Sequence, residues 1–229
     1  MRKQGQVHVI ERPARPQPAP RTYDRKRVLE KASRARQRGK RKKAIDLYRK
    51  VLADEPQNIE LHRKLGPLLA ETRQREEALI HFGHAARGLA ARGFPDKAVG
   101  LCREAVGFYP TDANLWEAIA DLQLQRQRRR DAFDALIEGR RHMRGRKRRD
   151  KAIRLLQRAC AIEPDAADPQ IELAWLLARS RQRARARAIL DRLAGCARGR
   201  DRRRALGARF RISPTPLGLL RWLGAWFGG

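Results

Sequence analysis

A chain of 229 residues with 41% apolar content can fold as one or two compact domains or as a single elongated array, and its 6% aromatic share suits helices that meet through small side chains. A net charge of +29 predicts attraction to polyanions of any kind, although arginine on solvated faces produces the same total without a polyanion partner. Cys102, Cys160 and Cys196 are scattered and form no CxxC pair, which suits a reducing compartment.

In chain order, residues 1–23 carry Pro13, Pro16, Pro18 and Pro20 among arginines and glutamines, and read as a disordered basic Pro-rich arm. Val7-His8-Val9-Ile10 is a short apolar run inside it. The beginning of the chain never develops the apolar run of a secretory signal, and no later stretch reaches the ~18 residues of a membrane span. The expectation is therefore a cytoplasmic protein.

From Asp24 the pattern becomes helical. Val28, Ala32 and Ala35 recur at helical spacing up to about Arg38, with Gly39 at the stop. Next comes Lys43 to Pro56, KAIDLYRKVLADEP, which returns as KAVGLCREAVGFYP up to Pro110 and as KAIRLLQRACAIEP up to Pro164. The interval is 54 residues both times (98 − 44 and 152 − 98 between equivalent alanines), and a fixed period is the mark of a repeat architecture.

Ala32, Gly39, Ala44, Tyr48 and Pro56 resemble the tetratricopeptide repeat: a small residue in the first helix, a turn, then a second helix with Ala, an aromatic residue and a closing Pro. Leu65, Gly66, Ala78, Phe82 and Ala85 match the same pattern. The resemblance covers residues 24–197 and implies an all-α fold, a right-handed α-solenoid of antiparallel helix pairs. The spacing departs from the family pattern in that helices 75–91 and 129–144 each serve two neighbours. The result is 54-residue three-helix super-repeats: 59–71, 75–91 and 95–108, then 113–125, 129–144 and 148–161. Arg140 stands where the first of these has Ala86, which disturbs that packing contact. An unfinished third unit follows, from Pro169 to Arg179 and from Ala184 to Cys196. Residues 198–213 read as a basic linker, and 214–229 as an apolar cap or anchor too short to span a bilayer.

Three sets of candidate binding residues emerge. The family binds peptides along its first helices, and by that resemblance Arg63, Lys64, Trp116, Glu117 and Trp175 would face the groove, with an acidic peptide as the ligand. Trp116 also stands where the family places a structural Trp. The basic turns Arg126, Arg128, Arg129, Arg130 and Arg146, Lys147, Arg148, Arg149 would bind polyanions or simply be solvated, and they form two opposite edges without interleaved aromatics. Leu219, Leu220, Trp222, Leu223, Trp226 and Phe227 would either cap the last helices or insert at a membrane surface. His81 and His84 are three apart on one helix, but no Cys/His set completes a metal site. No catalytic residues, cofactor, metal or small-molecule substrate is indicated.

The sequence thus predicts a non-catalytic scaffold or adaptor with a protein or acidic-peptide partner. The alternative is a module for nucleic acid or an anionic membrane, placed peripherally at the inner face of the membrane.

Overall fold

The computed structural model describes residues 24–227, with side chains to Ala225, so the expected arm over 1–23 lies outside the described residues. Among these residues are twelve α-helices, one 3-10 turn and no strand. They divide into two compact units at Asn58/Ile59.

The first unit holds α1 (Arg25–Gln37) and α2 (Arg41–Asp54). Asp24 caps α1 by accepting the Arg27 backbone N–H at 3.2 Å, which satisfies a donor that the helix leaves open. Gly39, at φ +70°, makes the turn. Ala32 and Ala35 then pack with Ala44, Ile45, Tyr48 and Val51, all buried. Arg25 at the start of α1 donates to the Glu55 carboxylate just past α2 at 2.6 and 3.0 Å, as antiparallel helices allow.

The second unit contains α3 (Ile59–Glu71), α4 (Arg75–Ala91), α5 (Pro95–Phe108), α6 (Ala113–Gln125), α7 (Arg129–His142), α8 (Arg149–Ile162), α9 (Ala167–Arg179), α10 (Arg183–Cys196), α11 (Gly199–Ile212) and α12 (Pro216–Phe227). From α4 onward each packs on its predecessor, the arrangement of an α-solenoid. Close approaches fix the antiparallel sense. A Cβ on Gly66 would meet the Phe82 ring at 3.0 Å, and one on Gly88, near the end of α4, would meet Ile59 at the start of α3.

The three-helix period is visible in the contacts. Besides its sequence neighbours, α3 touches α5, α6 touches α8 and α9 touches α11, so each triplet closes on itself. A two-helix array would not single out these pairs. The turns repeat as well: Arg73, Gln127 and Arg181 take positive φ (64°, 60° and 63°) between the first and second helices of each triplet. At the position of His62, Trp116 Nε1 donates to the Pro110 carbonyl at 2.9 Å, and Gln170 Nε2 donates to the Pro164 carbonyl. Pro110 and Pro164 are thereby tied to the helices that follow them.

Two expectations change. The third unit is complete, and the basic linker expected over 198–213 is helix α11, which buries Ala205, Ala208 and Ile212 against the α9–α10 core. Its arginines lie on the solvent side or pair with neighbours, Arg209 with Asp191 of α10 and Arg204 with Asp168 of α9. The third helix begins 50 residues after its counterpart rather than 54 (199 − 149), because the six-residue connection holding the 3-10 turn Arg146–Arg148 is cut to two residues between α10 and α11.

Candidate protein-binding clefts

A mainly apolar concavity of the second unit lies where α4 and α6 flank α5. It has a volume of about 560 Å³ and is lined by Phe82, Gly83, Ala86, Ala90, Ala91, Cys102, Leu115, Ala118 and Leu122, with Arg87, Asp121 and Gln125 among its polar members. The α4 wall carries only Gly and Ala at four of these positions, so the helices stand apart without side chains to fill the gap. Burial pushes the Cys102 thiol up to about 11, so it is an apolar wall atom rather than a nucleophile. Arg87 stays at the rim, its Nε donating to the Gly83 carbonyl at 3.2 Å.

One period later the same place is closed. Position 86 becomes Arg140 and position 118 becomes Glu172, and their side chains form an ion pair between α7 and α9. Gly83 becomes Ile137, which adds bulk. The cleft is therefore a property of the α4–α6 region and not of the repeat in general.

Most of the residues expected in the groove fall elsewhere, where first and third helices touch. Arg63 is exposed, pairs with Glu60 at 2.8 Å, and lines a cleft of about 440 Å³ with Phe94, Lys97 and Glu104; Lys64 beside it is half-buried. Glu117 is bound to Arg154 of α8 at 2.8 Å, and Asp121 pairs with Arg158, so this face of α6–α8 neutralises itself. Trp175 is half-buried beside Arg200, Arg203, Arg204, Gly207, Arg211 and Trp222 around a cleft of about 620 Å³. Trp116 does not belong to this set. It is 2% exposed, stacks on His142 and fits against Gly139, where a Cβ would meet the indole at 2.5 Å. Its ring is core, and no partner can reach it.

The basic clusters lie at opposite ends of α8. At one end, Arg129 donates to the Ile162 carbonyl at 2.6 Å and Arg130 pairs with Glu163 at 3.0 Å. At the other, Arg149 donates to the Arg179 carbonyl at 2.8 Å. Arg126 pairs with Asp96 at 2.5 Å and Arg128 with Asp131 at 3.8 Å. Most of this charge therefore already ties turns to helix ends, satisfying carbonyls that terminate helices. Arg146, Lys147 and Arg148 on the 3-10 turn are exposed.

His62 and His81 are buried with their Nδ1 atoms 2.7 Å apart, and His84 stacks on His62. Burial, with His62 adding to it, holds the His81 and His84 imidazoles below their ordinary value. Among the described residues no group of three His, Cys, Asp or Glu is arranged to hold a metal ion. Cys160 is half-buried and its thiol is likewise raised to about 11, while Cys196 is exposed.

On α12, Leu219, Leu220 and Leu223 are 37%, 66% and 41% exposed, while Trp222 is half-buried against Phe210. The side chains of Trp226 and Phe227 lie outside the described residues. No described helix is long and apolar enough to cross a membrane.

A family model described as "Tetratricopeptide repeat" matches residues 143–210. Solved structures that are similar include a tetratricopeptide repeat protein from Parabacteroides merdae (16% identity, 89% of this chain and 91% of that chain, TM-score 0.32). A putative kinesin light chain with TPR-like repeats from Podosopora anserina shows 17% identity over 89% of this chain and 93% of that chain, with TM-score 0.40. YrrB, described as a TPR protein with an unusual peptide-binding site, shows 13% identity over 86% and 90%, with TM-score 0.27. A comparison with curated protein sequences finds no match.

Proposed function

Because the chain is a tetratricopeptide repeat protein, we propose that it is a non-catalytic cytoplasmic scaffold holding a peptide or protein segment in the cleft between α4 and α6. The observation that carries this reading is the contrast between repeats: the place that Arg140 and Glu172 fill in one is left open by Ala86 and Ala118 in the other. An apolar wall gains from burying apolar surface, at about 25 cal/mol per Å². Arg87 at the rim favours a segment whose apolar residues are accompanied by Asp or Glu. Arg63, Lys64 and Trp175, on the faces where first and third helices meet, would extend the contact to a longer partner.

The test is to install the second repeat's closure in the first, as Ala86→Arg with Ala118→Glu. A peptide library selected on the native chain should yield sequences that combine apolar and acidic residues, and the double variant should lose them while keeping its helical content. Retention of the selected peptides by the closed variant would remove the cleft from the mechanism.

The polyanion reading draws on Arg146, Lys147 and Arg148, which are exposed together on one turn. It predicts binding of generic DNA or RNA that falls on the order of 10³-fold between ~50 and ~200 mM salt. Salt-insensitive or absent binding excludes it.

A further inference from the structure

Helix α12 stands where a first helix stands. It follows Pro214 as α9 follows Pro164, and the interval from Ala174 to Gly224 is the same 50 residues (224 − 174) that separates α8 from α11. Counted from Pro164, the third, sixth, ninth and tenth residues are Ala167, Gln170, Leu173 and Ala174, all buried where α9 packs with α8 and α10. The corresponding residues of α3 and α6 are buried in the same way. After Pro214 these positions hold Leu217, Leu220, Leu223 and Gly224, and here the leucines are 60%, 66% and 41% exposed. No described helix lies over them. Only the side of α12 that meets α11 is packed, through Gly218 and the Trp222–Phe210 stack.

The shape and charge of the face say what fits it. Gly224 is the counterpart of Gly66, against which α4 sets the Phe82 ring, and it borders a cleft of about 510 Å³ with Ala194 and Leu206, which gives the face a recess for a large apolar side chain of a crossing helix. Around it the charge is one-sided: Arg221 lies on α12 itself, and Arg200, Arg203 and Arg211 line the neighbouring cleft. The nearby carboxylates Asp168 and Asp191 are already paired with Arg204 and Arg209.

We propose that Leu217, Leu220, Leu223 and Gly224 form a docking face for an amphipathic helix of a partner protein, apolar along one stripe and acidic along its edges. The partner helix takes the place that α4, α7 and α10 take over α3, α6 and α9. The face rests on the scaffold reading and adds to it a second site, separate from the α4–α6 cleft. A second copy of the chain brings the same excess of positive charge to the contact and is disfavoured, and a lipid surface has no use for the recess at Gly224.

The test uses the full chain with a labelled helical peptide bearing Leu and Phe at helical spacing and Glu on its flanks. A second peptide keeps the stripe and carries Lys on its flanks. The Glu peptide should bind and the Lys peptide should bind at least about tenfold more weakly. Leu220→Glu with Leu223→Glu, changing exposed residues only, should abolish binding while helical content and capture of the cleft-selected peptides are kept. Gly224→Leu should block the peptide by filling the recess. Absence of Glu-peptide binding, equal binding of the two peptides, or binding that the double variant retains overturns the proposal. So does attachment of the chain to phosphatidylglycerol vesicles, or dimerisation, that depends on Leu220 and Leu223 without peptide binding. None of these outcomes touches the cleft, whose failure is read separately from the Ala86→Arg, Ala118→Glu variant.

Discussion

The triplets α3–α5 and α6–α8 are built on the same period yet have divided their side-chain volume differently. In the first, His62 occupies the place of Trp116, and Ala85 the place of Gly139. The larger ring is accommodated by a smaller partner one helix away, which offsets part of the added volume. The α4–α6 cleft shows the opposite behaviour. There Ala86 and Ala118 become Arg140 and Glu172, both larger, and the volume is filled rather than exchanged. Core positions are therefore under a packing constraint that the cleft position escapes, as expected where one repeat has kept an opening.

The sharpest way to break this comparison is Gly139→Ala. Its Cβ would press on the buried indole of Trp116, and a loss of about 2–3 kcal/mol is expected from denaturant unfolding. Adding Trp116→His restores the pairing of the first triplet and should recover part of that loss. A smaller effect is expected for Glu172→Ala. It strands Arg140 at the α7–α9 contact, and because Glu172 is 42% exposed the cost should be about 2 kcal/mol, below that of a fully buried pair. Removing Arg140 as well, as Ala, should return most of this stability. The double variant should also open a second cleft, read as added capacity for peptides selected on the native chain.

How much of this was legible in the sequence depended on register. The 54-residue period showed because the Ala-rich third helices and their closing prolines keep the same connections. Helix α11 did not show. The shortened connection shifted its frame by four residues, and the position of Ala152 became Arg202, so the remaining signal, Ala205, Ala208 and Ile212, looked like apolar residues scattered in a basic segment. Residue type alone also misplaced Trp116. Trp116 and Trp175 both lie on first helices, but their positions within the period differ: Trp116 aligns with buried Gln170, whereas Trp175 aligns with Asp121 at the surface. The substitution of Ala86 by Arg140 could be read as a disturbed contact, but its partner Glu172 lies 32 residues further along and two helices away, beyond any local pattern.

The smallest predicted effect is on pH. The His81 and His84 imidazoles are held below 6.5 in the folded chain, chiefly by burial, so the unfolded chain takes up protons first as pH falls. The stability of the α3–α4 region should be fully present above pH 6.5 and decline as pH drops toward the folded-state values. Amide exchange should show α3–α4 losing protection on acidification while α6–α7, with Trp116 in the corresponding place, does not.

The closing prolines have a consequence for how the length of the molecule can change. Each is tied through the chain to the helix after it, and in two cases through a side-chain hydrogen bond as well, so the joints at Pro110 and Pro164 present nearly the same chemistry to whatever follows. Excising residues 111–164 would bring Pro110 to Asp165 and seat α9 where α6 had been, with Gln170 reaching back to the proline carbonyl as it now does at Pro164. The chain is in this sense a cassette construction, in which whole units are the natural quanta of growth and loss.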